Sequence, residues 1–262
     1  MVINNKIVII PTCDSVLKKA QELSTHLRLP LITQNQLINN FAFLLAVTPD
    51  HLELRENNVK NSKPIFVDFL AASLNWRIKH GGGKKQLIAK AIGIKGSKKL
   101  HVIDATAGFG IDAFVLASLG CEVVMLERSP IIAALLEDGL KRLKKDPKNQ
   151  TLKISLQTEQ SATYINKLIK ENREKPDVIY LDPMYPKRSK NILNKKTMRV
   201  LHEIVGNDDD ASELLNLALN CAKNRVVVKR PNYADNLGLL KPDLQFSSKG
   251  SCRYDIYFPK TK

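Results

Sequence analysis

The residues that carry the clearest chemistry are Asp182-Pro183-Met184-Tyr185-Pro186, which follow the apolar run Asp177-Val178-Ile179-Tyr180-Leu181. An acidic side chain and a proline carbonyl together, at the exit of a strand, offer two acceptors close to one point. An exocyclic amine on a planar ring is a poor nucleophile, because its lone pair is delocalised into the ring. Two acceptors, one for each N–H, hold such a nitrogen in line for attack and favour its pyramidal form. Asp182 would supply one acceptor and Pro183 the other, and Tyr185 would stack on the ring. The competing reading is an ordinary strand-to-loop exit, where Asp and Pro are common.

Chemistry of that kind needs an electrophile, and Leu100 to Asp112, LHVIDATAGFGID, is the stretch that would hold it. Leu100 to Ile103 reads as a short buried strand ending at Asp104. Ala105 to Gly110 is a run of small residues suited to a tight turn, and the apolar pattern from Asp112 reads as a helix that Gly120 stops. A strand, a Gly-rich turn and a helix N-terminus make a cofactor cradle in an open α/β sheet. A dinucleotide fingerprint would place a third glycine where Ala113 stands, and it is missing. The acidic strand end Asp104 followed by Gly108 and Gly110 instead resembles the first motif of S-adenosylmethionine (SAM) methyltransferases. A tight turn that binds nothing is the bland alternative.

The flanking elements repeat the strand-helix alternation. Cys121 to Leu126 reads as the next strand and ends in Glu127, 17 positions after Gly110, near the spacing at which an acid takes ribose hydroxyls. Ser129-Pro130 is a cap followed by proline at the first helical position, and the helix runs to about Lys145. Leu152 to Leu156 reads as a third strand, with Gln160 and Ser161 beyond it near an adenine, or with Ser161 only capping a helix to Lys170. Asp177 to Leu181 and Arg225 to Lys229 give two more strands. Phe246 and Arg253 to Phe258 give a final antiparallel edge pair, and Asp210 with Glu213 fits a capping box. The fold expected is α/β, a doubly wound, mostly parallel Rossmann-like sheet over residues 64–262. A small N-terminal α/β region, residues 1–63, precedes it. Pro64 to Phe69 reads as another strand and Leu70 to Ile78 as a helix. Gly81-Gly82-Gly83 then lies among basic residues and is either an anion-binding turn or a hinge, while His80 reads as a polar packing residue.

Composition narrows the partner. The chain has 262 residues, 44% of them hydrophobic, so it can build a full core. Its formal charge is +15 and its pI about 9.6, which favours a polyanion over a free metabolite. Lys187, Arg188, Lys190, Lys195, Lys196 and Arg199 follow the DPMYP segment without an acid among them, in a loop that suits RNA phosphates at the mouth of a site. Arg230, leaving a strand beside that site, joins them. A base in a folded RNA must be turned out to enter such a pocket. Cys13, Cys121, Cys221 and Cys252 form no C-x-x-C pair and suit reduced thiols in the cytoplasm. No apolar run has the length of a membrane helix, and no metal is expected.

Taken together, TPDHLELRE, PIFVDF, HGGG, AIGIKG, DATAGFGIDAFVLASLGCEVVMLER, VIYLDPMYP, RVVVKRP and RYDIY resemble the RsmJ-type methyltransferases. The resemblance covers most of the chain and is weakest over the first fifty or so residues. It implies SAM as cofactor, held by Ile111-Asp112, Glu127-Arg128, Gln160-Ser161 and Asp182. Gln160 departs from the serine common there in the family. It also implies transfer to N2 of a guanosine in 16S rRNA, free or within the small ribosomal subunit. An adenine-N6 methyltransferase on DNA or RNA, and a non-catalytic RNA-binding assembly factor, are the alternatives.

Overall fold

The structure is a computed structural model that describes residues 6–33, 35–184, 196–206, 208, 210–247 and 252–259. Two sheets form. In the smaller, β1 (Ile7–Pro11) pairs in parallel with β2 (Phe43–Val47), and β2 pairs antiparallel with β3 (Leu52–Glu56). Helix α1 (Leu17–Leu27) connects the first two and buries Ala20 and Leu27. After β3 come α2 (Ala72–His80) and α3 (Leu87–Ile92).

The larger sheet begins with β4 (His101–Asp104) and continues as a strand-helix alternation: α4 (Ile111–Ser118), β5 (Glu122–Leu126), α5 (Pro130–Lys145), β6 (Ile154–Gln157), α6 (Ser161–Lys170) and β7 (Val178–Leu181). Then follow α7 (Lys196–Val205), α8 (Ala211–Cys221), β8 (Arg225–Pro231), β9 (Leu244–Ser247) and β10 (Cys252–Tyr257). The strand order is β6-β5-β4-β7-β8-β10-β9, parallel from β6 to β8, with β10 antiparallel to both β8 and β9. The order reverses between β4 and β7, and at such a point the loops leaving two neighbouring strands part and open a crevice.

Period-two alternation divides the buried side chains of this sheet between two cores. Val102, Val123, Met125, Val178, Tyr180 and Val227 join one with α4 and α5, which also takes in Ile9, Leu45 and Leu54 from the small sheet. Ile103, Leu126, Ile179, Leu181, Val226 and Val228 face the other, closed by α6 and α8. Helix α5 starts as its sequence demands: Ser129 caps it through the Ile132 N–H, and Pro130 occupies the first turn.

Two local expectations fail for physical reasons. Pro64 to Phe69 alternates apolar residues, and Ile65, Val67 and Phe69 are buried, yet the segment makes only an isolated bridge between Ile65 and Leu54. Its alternation reflects packing against α5. Val67 lies so close to Gly139 that a Cβ there would stand 2.6 Å from Val67 Cγ1, and Arg142 donates to the Val67 carbonyl. Asp210 occupies the N-cap of α8 but makes no capping bond, because its carboxylate lies 3.5 Å from Arg128. No helix among the described residues is long and apolar enough to cross a membrane.

The contact at Gly139 is a test of this packing. Gly139→Ala should destabilise the protein by about 1–3 kcal/mol, because both the β-branched side chain and the backbone of Val67 stand in the way. Urea denaturation monitored by circular dichroism measures it.

Candidate active site

The crevice between β4 and β7 opens into a cavity of about 690 Å³, within the range of small-molecule sites. Asp104 ends β4, and its Oδ1 accepts the Thr106 N–H at 3.2 Å. Glu127, just beyond β5, is 5% exposed. Its two oxygens accept the N–H groups of Gly108 at 3.1 Å and Ser129 at 2.7 Å. The glycine turn is thereby tied to the end of the neighbouring strand. A side chain at Gly110, where φ is +71°, would meet Leu136, Met125 and Phe69 at 2.9 to 3.1 Å, so the turn can pack this closely only with glycine. Ser161 does not cap α6; its hydroxyl donates to the Ala105 carbonyl at 2.6 Å and braces the turn from below. Gln160 is the N-cap residue, without a side-chain capping bond, and lines the cavity.

On the other side of the crevice Lys229, from β8, bridges two carboxylates. Its Nζ donates to Asp182 Oδ2 at 2.7 Å and to Asp112 Oδ2 at 2.8 Å. Asp112, in the first turn of α4, also accepts from the Tyr180 hydroxyl at 2.8 Å and from Arg77 at 3.1 Å. Burial works against each of these charges, and the ions answer it unequally. Lys229 and Arg77 hold the Asp112 carboxyl below its usual range. Burial, helped by Asp112 and Asp208, leaves Asp182 raised despite Lys229. Burial opposes the Lys229 ammonium, but the two carboxylates outweigh it and keep it charged well above the ordinary lysine range. The Asp182 N–H donates to Thr106 Oγ1 at 2.6 Å, so β4 and β7 are cross-tied at the floor of the cavity. Met184 N–H donates to Asp208 at 2.7 Å, and Asp208 also takes Arg128 at 2.7 Å.

The cations on the cavity wall are engaged. Arg77 and Lys229 are paired as described, Arg128 holds Asp208 and Asp210, and Arg230 donates to the Asp235 carbonyl. Asp104 and Glu127 form no ion pair with any of them; burial pushes Asp104 up to about 8 and Glu127 up to about 7, with backbone N–H groups resisting in both. With those cations already engaged, the cavity is a poor seat for pyrophosphate. Its carboxyl and backbone groups suit a ligand that brings hydroxyls and amines, and an adenosyl amino acid is such a ligand.

A family model described as "Putative SAM-dependent methyltransferase" matches residues 28–259. A ribosomal RNA small subunit methyltransferase J from Coxiella burnetii is 44% identical over 257 residues, 98% of each chain. The chain belongs to that family of SAM-dependent methyltransferases. A further member, from Serratia proteamaculans, is 47% identical over 215 residues, covering 82% of this chain and 86% of its own. A solved SAM-dependent methyltransferase from Neisseria gonorrhoeae superposes with a TM-score of 0.76 at 34% identity, over 98% of this chain and 97% of that one. SAM is therefore the cofactor, and Asp104, Gly108, Gly110, Ile111, Asp112, Glu127, Arg128, Gln160, Ser161 and Asp182 lie on or around the one cavity. Among the described residues no group of His, Cys, Asp or Glu could hold a metal ion.

Other sequence expectations are distributed differently. Tyr185, Lys187, Arg188, Lys190 and Lys195 lie outside the described residues, as does the side chain of Lys196. Lys196 and Arg199 belong to α7 rather than to a loop, and Arg199 pairs with Glu56 of β3 and, at 3.9 Å, with Glu203. Arg230 is buried, 5% exposed, on the cavity wall. His80 is an exposed residue rather than a packed one. Lys229, Tyr180, Thr106, Arg77 and Asp208 were not singled out for the site by their types. The signal for Lys229 was a cation closing the apolar run Val226 to Val228, level with the end of β7.

Asp104 and Glu127 hold their protons to higher pH folded than unfolded, so the folded state binds more protons between the ordinary carboxylate range and about 7 to 8. Stability contributed by these groups must then fall as pH rises through that window. In the cofactor-free protein, Asp104→Asn should flatten the loss of stability between about pH 5.5 and about pH 8.5, read as urea midpoints across the pH series. An unchanged slope would mean that Asp104 is not desolvated.

Proposed function

We propose that the protein transfers the methyl group of SAM to the exocyclic N2 of a guanosine in 16S rRNA, in the cytoplasm, with naked rRNA or the small ribosomal subunit as substrate. The observation that carries this reading is the placement of Asp182-Pro183 at the C-terminal end of β7, beside the glycine turn and Glu127 on one cavity. Family membership supports the rRNA substrate, since the relatives from Coxiella and Serratia bear the name ribosomal RNA small subunit methyltransferase J.

In this reading each residue has a role. SAM supplies a methyl group already activated on a sulfonium. Glu127 accepts the ribose hydroxyls, and Gln160 and Ser161 border the adenine. The amides of Ile111 and Asp112 open α4, where helix N–H groups have no intrahelical acceptor. Asp182 accepts one N–H of the target amine and the Pro183 carbonyl the other, with Tyr185 on the face of the base. Lys229 keeps Asp182 oriented and favours its charged, acceptor-only form. Lys187, Arg188, Lys190 and Lys195, with Lys196, take phosphates.

Asp182→Asn keeps the shape of the side chain but turns one acceptor into a donor. It should lower kcat for tritiated-methyl transfer to small-subunit rRNA by about 10²–10³-fold. Lys229→Met should move the acid limb of kcat/KM to higher pH, because the cation that lowers Asp182 is gone; Lys229→Arg should restore most of it. Nucleoside mass analysis of the labelled rRNA decides the acceptor. N2-methylguanosine is the expected product, whereas N6-methyladenosine, or no transfer at all, would sink this assignment.

A further inference from the structure

Helix α2 carries an aromatic surface that the chemistry at Asp182 does not use. Trp76, the single tryptophan of the chain, is 63% exposed. His80, one turn on, stacks with it at 5.1 Å between ring centroids and 26° between planes. The His80 Nδ1 lies 3.2 Å from the Trp76 carbonyl oxygen, which holds the imidazole in that position. Lys79 falls on the same helical face, three residues from Trp76. A single apolar side chain on a surface would need no explanation. Here the charge around it provides one.

From Phe69 to Ile103 there is no Asp or Glu, while the same stretch holds seven lysines and Arg77. Lys79, Lys84 and Lys85 are all exposed. The glycine run folds the chain back at the end of α2, with positive φ at Gly82 and Gly83. Lys84 is fixed there by a 2.6 Å bond to the Gly96 carbonyl. A protein partner of ordinary mixed charge would meet no acid in this segment to pair with its own cations. A strand with phosphates on one side and flat rings on the other meets both of its needs, since base stacking on an aromatic and neutralised phosphates are how single strands are held. The surface also adjoins the site: Arg77, the residue after Trp76, reaches into the cavity to Asp112.

We propose that Trp76 is a stacking platform for an unpaired nucleobase of the RNA substrate, next to the nucleotide being modified, with Lys79, Lys84 and Lys85 on the neighbouring phosphates. The proposal rests on the rRNA reading above and adds a second base-binding position to it.

Because Trp76 is the single tryptophan, intrinsic emission reports on this position alone. Titration of the full chain with a single-stranded RNA oligonucleotide spanning the modified site should quench the emission and shield it from acrylamide. Heparin, a polyanion without bases, should leave the emission unquenched. Anisotropy of the same RNA carrying a fluorophore should show Trp76→Ala binding roughly ten-fold more weakly, with Trp76→Phe close to wild type. In methyl transfer, Trp76→Ala should raise KM for rRNA and leave kcat at saturation unchanged. Emission indifferent to bound RNA, or Trp76→Ala binding as tightly as wild type, would overturn the platform. If the wild-type chain methylates rRNA while Trp76 stays silent, the platform alone falls. If the wild-type chain transfers nothing to rRNA, the reading of the reaction falls and takes the platform with it.

Discussion

Two carboxylates from different elements, Asp112 at the start of α4 and Asp182 at the end of β7, share one ammonium. Without a cation between them, such neighbours repel, and one would take up a proton or the two elements would move apart. Lys229 removes that conflict, and the rest of the crevice depends on it. It fixes the distance between the helix that opens the cofactor cradle and the turn that would meet the acceptor. Tyr180 and Arg77 complete the arrangement from below and from the side. The ammonium is useful there because it comes from β8, the sheet neighbour of β7, one strand away from the switch between β4 and β7. A cation one strand further out would not reach.

The arrangement also reconciles a basic protein with an acidic pocket. Most of the positive charge faces outward, whereas the cavity collects carboxylates and ties its cations to them or to backbone carbonyls. The crevice is thus close to internally neutralised while the chain as a whole is basic, +15; burial and screening let the two coexist.

Much of this was legible in the amino-acid sequence, and the reasons differ by element. The strand-helix alternation from Leu100 onward is carried by short apolar runs and by caps such as Ser129-Pro130, both local signals, and the elements form where they point. The cradle at Ala105 to Gly110 was legible because small residues and an acidic strand end are local too. Pro64 to Phe69 misled, since alternation records burial and the burying surface is α5 rather than a sheet. Asp210 misled because a cap and an ion pair use the same oxygens, and Arg128 is distant in sequence. Lys229 was the least readable part of the site. Its role exists only once β8 lies beside β7 and α4 stands over both, a non-local fact that no spacing along the chain encodes.

Asp208 joins two halves of the crevice that the strand order separates. One oxygen holds Arg128, the residue after Glu127, and the other holds the Met184 amide, within the turn that follows Asp182. A single carboxylate thus ties the segment after β5 to the turn after β7, so that displacement of either is resisted by the other.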